Sequence, residues 1–127
     1  MTLETYLDDI ADYLEANGIT PVSISGNFEQ FSNGIYLSPY GGLPVTYVVS
    51  DDANPFASDF QILISNTSNE TALELAAKTI RLLRDVHNVN IGNTRFLLIQ
   101  QKYGMFFLGK NNVEYYTYSL NFTILIA

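Results

Sequence analysis

Residues 115–126, near the end of the chain, alternate strictly between large apolar and mostly polar side chains. One side carries Tyr116, Tyr118, Leu120, Phe122, Ile124 and Ile126. The other side carries mainly Thr, Ser, Asn and Tyr. Because successive side chains of a strand point to opposite faces, this pattern predicts a long strand with one face in the core. Its opposite face is expected to be wet or to meet a partner.

Two earlier segments show the apolar period of amphipathic helices. The first spans residues 3–17 and ends at Gly18, a typical helix stop. The second runs from about residue 70 to residue 86 and carries its cations in the later half, where the helix dipole favours them. Its candidate N-caps are Thr67, in capping-box spacing with Glu70, and alternatively Ser68 or Asn69.

The remaining apolar runs predict further strands. Short strands are expected at 22–25, 35–37 and 45–49, and the segment 51–58 is expected to be a loop. A strand begins at Phe60, and another covers 95–100. The second of these is apolar on both sides, with Leu97 and Ile99 on one and Phe96 and Leu98 on the other, and is therefore expected to be central or covered.

A bulky run, Met105 to Leu108, precedes a predicted turn at 109–112 and then the last strand, which suggests an antiparallel hairpin. The element order is helix, short strands, strand, helix and three strands. This order predicts an α+β fold, with a mostly antiparallel β-sheet and two helices packed on one face. The length of 127 residues fits a single domain covering residues 1–127.

Charge is scarce and unevenly distributed. Charged residues make up 15% of the chain, against about 25% in a typical soluble domain, which favours a protein that hides surface in an assembly. Eleven acids and no lysine or arginine precede residue 78, whereas six basic residues and two acids follow. Copies that pack acidic side against basic side would form a heterologous ring. Cancellation of these charges within one molecule is an equally good interpretation.

Two groups of residues are candidate contact surfaces. The first helix carries an acidic stripe that is either solvated or faces a lumen or basic partner: Glu4, Asp8, Asp12 and Glu15. The candidate subunit interface combines cations of the second helix with the bulky run and its following lysine: Lys78, Arg81, Arg84, Met105, Phe106, Phe107 and Lys110. The bulky run would equally suit a place in the core.

Catalytic, metal and cofactor chemistry find no support in the sequence. There is no cysteine, and the single histidine, His87, is expected to end the second helix in a structural role. The oxygen-rich segment 51–54 lacks the glycine and distal glutamate of a calcium loop. No apolar run approaches the roughly 18 residues that a membrane span needs. The acidic pI of about 4.3 argues against specific DNA binding.

Four short stretches, taken in order, resemble a known family. They are Tyr40-Gly41-Gly42 with Pro44, Phe60 to Ile64 followed by the helix Thr71 to Leu83, Phe107 to Asn111, and Tyr118 to Phe122. The likeness that they carry extends over about two thirds of the chain. In these features the chain resembles the tail terminator and tail-completion proteins of long-tailed bacteriophages, which are often labelled minor capsid proteins.

The resemblance implies a non-enzymatic virion protein that is assembled in the host cytoplasm. Such a protein forms a ring, usually a homohexamer, on the head-proximal end of the tail tube. The ring contacts the tail tube protein and the head connector, and DNA passes through it without specific binding. Two alternatives stay open: a head-completion or connector subunit, and a small acidic adaptor or inhibitor that binds one partner.

Overall fold

A computed structural model describes residues 3–19, 22–24, 33–38, 56–110 and 115–127. Within these ranges the chain forms an α+β fold, as predicted. The predicted strand at 45–49, the oxygen-rich segment 51–54 and the Gly41-Gly42 pair lie outside the described residues. The described elements, in chain order, are α1 (Leu3–Ala16), β1 (Val22–Ile24), β2 (Gly34–Ser38), β3 (Phe56–Asn66), α2 (Asn69–Arg84), β4 (His87–Ile91), β5 (Thr94–Gln101), β6 (Phe106–Lys110) and β7 (Tyr116–Ile126).

Local hydrogen bonds mark the C-terminus of α1 and the N-terminus of α2. The N–H of Asn17 donates to the carbonyl of Leu14 at 3.1 Å, and Gly18 follows with a φ of +89°, which ends α1. At the start of α2, Ser68 is the N-cap, because its Oγ accepts from the Thr71 N–H at 3.2 Å. Of the candidate N-caps Thr67, Ser68 and Asn69, Ser68 is therefore the one that caps the helix.

The end of α2 differs from the prediction. The helix ends at Arg84, and His87 is the first residue of β4 instead of the last of a helix. The turn from helix to strand is fixed at Val86, which is buried and accepts a hydrogen bond from the Ile99 N–H of β5 at 3.2 Å. Asn88 then has a φ of +48°, in the left-handed region that a continuing helix does not use.

The long last strand is confirmed and is the centre of the sheet. The sheet order is β1-β2-β3-β7-β5-β4, and β6 pairs with β7 as well. Along one edge, β7 pairs with β3 over its whole length, from Asn66↔Tyr116 to Phe56↔Ile126. Residues 56–58 therefore belong to a strand, and the predicted loop over them is wrong. Among the described pairings, all are antiparallel except β1 with β2.

The other edge of β7 is shared by two strands. β5 pairs with its C-terminal half, from Gln101↔Phe122 to Phe96↔Ile126. β6 pairs with its N-terminal half, beginning at Phe106↔Ser119. After Lys102, whose N–H still donates to the carbonyl of Asn121, residues 103–105 interrupt the pairing, so β5 and β6 are two parts of one interrupted strand. The predicted hairpin of β6 and β7 is confirmed, although Gly109 and Lys110, expected in its turn, lie within β6.

The core lies between one face of the sheet and the two helices, which confirms their predicted packing. Tyr6 of α1 meets Phe60 edge to face at 6.1 Å between ring centroids, and Phe60 stacks on Phe122 of β7 at 5.3 Å. The hydroxyl of Tyr13 donates to the carbonyl of Leu82 at 3.4 Å, which links the two helices. The buried apolar side chains of α2 that complete this core are Ala72, Ala76 and Leu83.

A bulge in β5 changes which of its side chains reach the core. The pairing with β7 passes from Phe96↔Ile126 to Leu98↔Leu125, so Leu97 is an extra residue without its own partner. Phe96 and Ile99 are both buried as a result, although they were predicted on opposite sides. β5 lies between β7 and β4, so the prediction of a central strand is confirmed, whereas Leu98 is 42% exposed and the strand is not covered on both sides.

Candidate assembly surfaces

The sheet face opposite the helices is polar but not wet. Thr117, Ser119 and Asn121 of β7 are buried, so the expectation of a wet face is wrong, while the contact of this face with a partner stays a prediction. Gln61 Nε2 and Asn121 Nδ2 both donate to Ser119 Oγ, at 3.0 and 3.1 Å. Because these groups bond one another, they are buried without the cost of an unpaired polar atom. This face therefore stiffens the sheet.

An ion pair between Lys102, which directly follows β5, and Asp59 of β3 fixes the chain between β5 and β6. Asp59 of β3 is buried and accepts from Lys102 Nζ at 2.5 Å and from Thr123 Oγ1 at 2.9 Å. The N–H of Lys102 also donates to the carbonyl of Asn121 at 2.8 Å. The hydrogen bond to Asp59 raises the pKa of Lys102 above its ordinary value of 10.5. Lys102 is therefore anchored at this point, and the pairing with β7 is interrupted at the residues after it.

The residues after Lys102 form the largest exposed apolar feature among the described residues. We call Tyr103, Met105, Phe106, Phe107 and Leu108 the β6 apolar strip. The last three are 50%, 54% and 58% exposed. Aromatic side chains bury about 150–250 Å² each when fully covered, so the half-exposed rings of Tyr103, Phe106 and Phe107 leave roughly 300 Å² open. Phe106 pairs with Ser119 and Phe107 with Tyr118, so this open area is divided between the two faces of the sheet.

The β6 apolar strip is fixed in place on one side. The ring of Phe107 lies 5.1 Å from that of Tyr118 and 6.5 Å from that of Tyr116, and Tyr103 meets Phe106 at 6.2 Å. The structure therefore places Met105, Phe106 and Phe107 at the surface, and of the two interpretations offered by the sequence it excludes the core. Their role as a subunit interface stays a prediction, as does that of Lys110, of which only the backbone is described. The sequence prediction omitted Tyr103 and Leu108, although the apolar run includes Leu108.

The acidic stripe of α1 is at the surface where its side chains are described. Asp8, Asp12 and Glu15 are exposed, and Glu4 lies in the same helix. Asp9 behaves differently, because it is buried and accepts a hydrogen bond from the hydroxyl of Thr94, at the start of β5. Three of the four predicted acids are thus available to solvent or to a partner, and Asp9 ties α1 to the sheet.

The three predicted cations of α2 differ in their exposure. Arg81 and Arg84 are exposed, and no described carboxylate lies within 4.0 Å of either guanidinium. Lys78 is half-buried, and its ammonium lies close enough to Gly18 that a Cβ there would be 3.1 Å from Nζ. Since α1 has no basic residue in its last turn, Lys78 supplies a cation at the negative end of that helix dipole.

A cavity opens beside the C-terminal half of α2, and no sequence signal pointed to it. Its volume is about 320 Å³. Its buried floor is formed by Ile99 and Phe122, while Arg84 lies among its exposed lining residues. The other lining residues are Ile80, Leu98, Gln100 and Gln101. The chemistry of this cavity suits an apolar side chain that lies next to an anion.

The described residues offer no metal cluster: no three His, Cys, Asp or Glu side chains among them are placed to hold an ion. Neither described helix is long and apolar enough to cross a membrane.

The fold recurs in solved structures. One is a chain from the virion of a native gene transfer agent particle, with a TM-score of 0.57 and 15% sequence identity, covering 98% of this chain and 90% of that chain. A second solved chain has a TM-score of 0.52 and 14% identity, covering 96% and 90%. At such identities the likeness shows the fold alone. No curated protein matches the chain.

The sequence itself defines the class more closely. Residues 13–127 match the family described as bacteriophage tail terminator protein. The protein belongs to this family and is a structural protein of the phage tail, as the resemblance implied. The match begins within α1 and includes α2, β6 and β7, so the candidate surfaces of α2 and β6 lie inside the family region.

Proposed function

We propose that the protein forms a ring of identical copies, six in number, that ends the tail tube at its head-proximal end and joins it to the head connector. Its role is mechanical, and it needs no catalytic residue or cofactor. Membership of the tail terminator family supports the tail location. The single observation that carries the ring proposal is the exposed β6 apolar strip on a chain with few charges.

The β6 apolar strip supplies the centre of the subunit contact. A standard protein interface covers about 800 Å² on each partner, and the strip offers roughly 300 Å² from its aromatic rings. The remainder would come from other parts of the subunit surface. Arg81 and Arg84, at the C-terminal end of α2, would meet a neighbour there, away from the strip.

The acidic stripe of α1 supplies a face for the passage of DNA. Asp8, Asp12 and Glu15 are exposed, and no described cation lies within ion-pair distance of them. A lumen lined by carboxylates repels the phosphate backbone, so the genome passes without being held. The net charge of −7 agrees with this role.

The proposal is tested by mixing the protein with purified tail tubes and imaging the tube ends by electron microscopy. Wild-type protein should form rings at one end of each tube, whereas Phe106→Ser combined with Leu108→Ser should lower ring occupancy at least about tenfold, because it removes apolar contact area. Val89→Ser is the matched control, since Val89 is a similarly exposed apolar residue on β4. Rings that form normally with the double variant, or that bind heads and not tubes, would contradict the proposal.

A further inference from the structure

The outward face of α2 is a single stripe with its charges separated by sign. Its N-terminal half carries the acids Glu70 and Glu74, and its C-terminal half carries Arg81 and Arg84. Ala77 lies midway, seven residues from Glu70 and seven from Arg84. All five residues are exposed. We call them, together with Leu73, the α2 outer stripe.

Such a stripe is complementary to itself when two copies of the helix lie antiparallel. A two-fold axis that passes by Ala77, perpendicular to the helix, brings Glu70 of one copy opposite Arg84 of the other. The same axis brings Glu74 opposite Arg81. The small Ala77 side chains then face each other at the axis, where they permit a close approach of the two helices.

Leu73, the large apolar residue of the α2 outer stripe, also meets an apolar partner when two helices lie antiparallel. Leu73 is 38% exposed and is flanked by two acids, which is an unfavourable place for an apolar side chain in a free monomer. It lies on the same side of the helix as Ile80, two turns later. Under the two-fold axis, Leu73, four residues before Ala77, lies at the level of Arg81 in the other copy and next to Ile80, which lines the 320 Å³ cavity.

We infer that two copies of the free subunit pair through antiparallel α2 helices, each placing Leu73 in the cavity of the other. Four intermolecular ion pairs surround the two Leu73 contacts. One helix pair covers less than a standard interface, so the contact is weak and depends on protein concentration. The pair uses Arg81 and Arg84, which the proposed ring contact also uses, so a copy engages in one contact or the other. The inference does not depend on the ring.

Helix dipoles alone also favour acids at the start and cations at the end of a helix. That effect stabilises each helix without joining two copies, and it gives no role to Leu73 or to the cavity. The two explanations therefore differ in the oligomeric state of the free protein, and charge reversal separates them.

The experiment is sedimentation equilibrium of the full chain over a concentration series at low salt. Wild-type protein should show reversible dimers. Glu70→Arg with Glu74→Arg, and separately Arg81→Glu with Arg84→Glu, should each raise the dimer dissociation constant at least about tenfold. All four changes combined should restore it, because the pairs re-form with opposite sign. Arg95→Glu is the control, since it reverses an exposed arginine of β5 outside the stripe.

Ala77→Glu supplies a second test, because glutamate is a good helix former and residue 77 is exposed. It places two carboxylates at the two-fold axis and should weaken the dimer without lowering the unfolding temperature. A wild-type protein that stays monomeric at every concentration would overturn the inference, and so would a quadruple variant that fails to recover. Either result leaves ring formation on tail tubes as a separate question.

Discussion

At the scale of single residues, one contact fixes the first helix to the sheet. Asp9 of α1 is buried, accepts a hydrogen bond from Thr94, and lies against the turn between β4 and β5. Gly92 in that turn has a φ of +60°, and a Cβ there would overlap the Asp9 carboxylate. The position thus requires glycine for its backbone conformation and for its space.

Gly92→Ala should therefore lower the free energy of unfolding by about 1–3 kcal/mol. Urea denaturation followed by circular dichroism measures this change. Gly104→Ala is the control, because a Cβ at Gly104 meets nothing within 4 Å, and its effect should stay within about 0.5 kcal/mol. Equal free energies of unfolding for the two variants would show that the contact between Asp9 and Gly92 does not require glycine at residue 92.

The pair of Lys102 and Asp59 predicts a dependence on pH. Because the hydrogen bond to Asp59 raises the pKa of Lys102, the stabilisation is complete below the ordinary value of 10.5 and is lost as pH rises through the raised value. Lys102→Met should lower the urea midpoint at pH 7, and the difference from wild type should shrink in strongly alkaline solution. The Lys102→Arg variant stays charged in strongly alkaline solution, because arginine does not deprotonate in this range, and its urea midpoint should be retained. A difference between wild type and Lys102→Met that does not change with pH would contradict this account.

At the scale of elements, β7 organises the fold because three strands pair with it. Removal of residues 120–127 would delete the C-terminal half of β7, including Phe122, whose ring stacks on Phe60 in the core. The truncated chain should be unfolded by circular dichroism and proton NMR. Removal of Ala127 alone, which is exposed, is the control and should leave a folded protein. A truncated chain that unfolds cooperatively would refute the central place of β7.

The sequence predicted the elements that have a clear period. The alternation of β7 and the apolar stripes of α1 and α2 were sufficient to place one long strand and two helices. β4 was missed, because its short segment is rich in asparagine and follows the helix with only one intervening turn. The bulge at Leu97 was invisible, because every residue from Phe96 to Ile99 is apolar and any phase of the strand fits such a run.

The candidate surfaces were predicted in part, for a related reason. Apolar character alone did not decide whether Phe106 and Phe107 were core or surface, because that depends on how β6 joins β7. Likewise, helical spacing grouped Lys78 with Arg81 and Arg84, but it did not reveal that Lys78 also approaches Gly18 at the end of α1. Such contacts between distant segments have no signature in local sequence.

At the scale of the whole molecule, the uneven distribution of charge along the chain predicts how ring contacts respond to charge reversal. Arg81→Glu with Arg84→Glu should block ring formation on tail tubes while the fold stays intact. Lys78 is left unchanged, because its loss would also disturb the end of α1. The count of rings on tube ends by electron microscopy measures the effect, and rings that form normally with the arginine variant would reject this mechanism.

The most direct measurement is a cryo-electron microscopy reconstruction of the protein bound to tail tubes. The account predicts a ring of six copies at one tube end, with Phe106 and Leu108 buried between neighbours and the acids of α1 facing the central hole. Tubes without a terminal ring, or a ring in which the β6 apolar strip stays open to solvent, would contradict it.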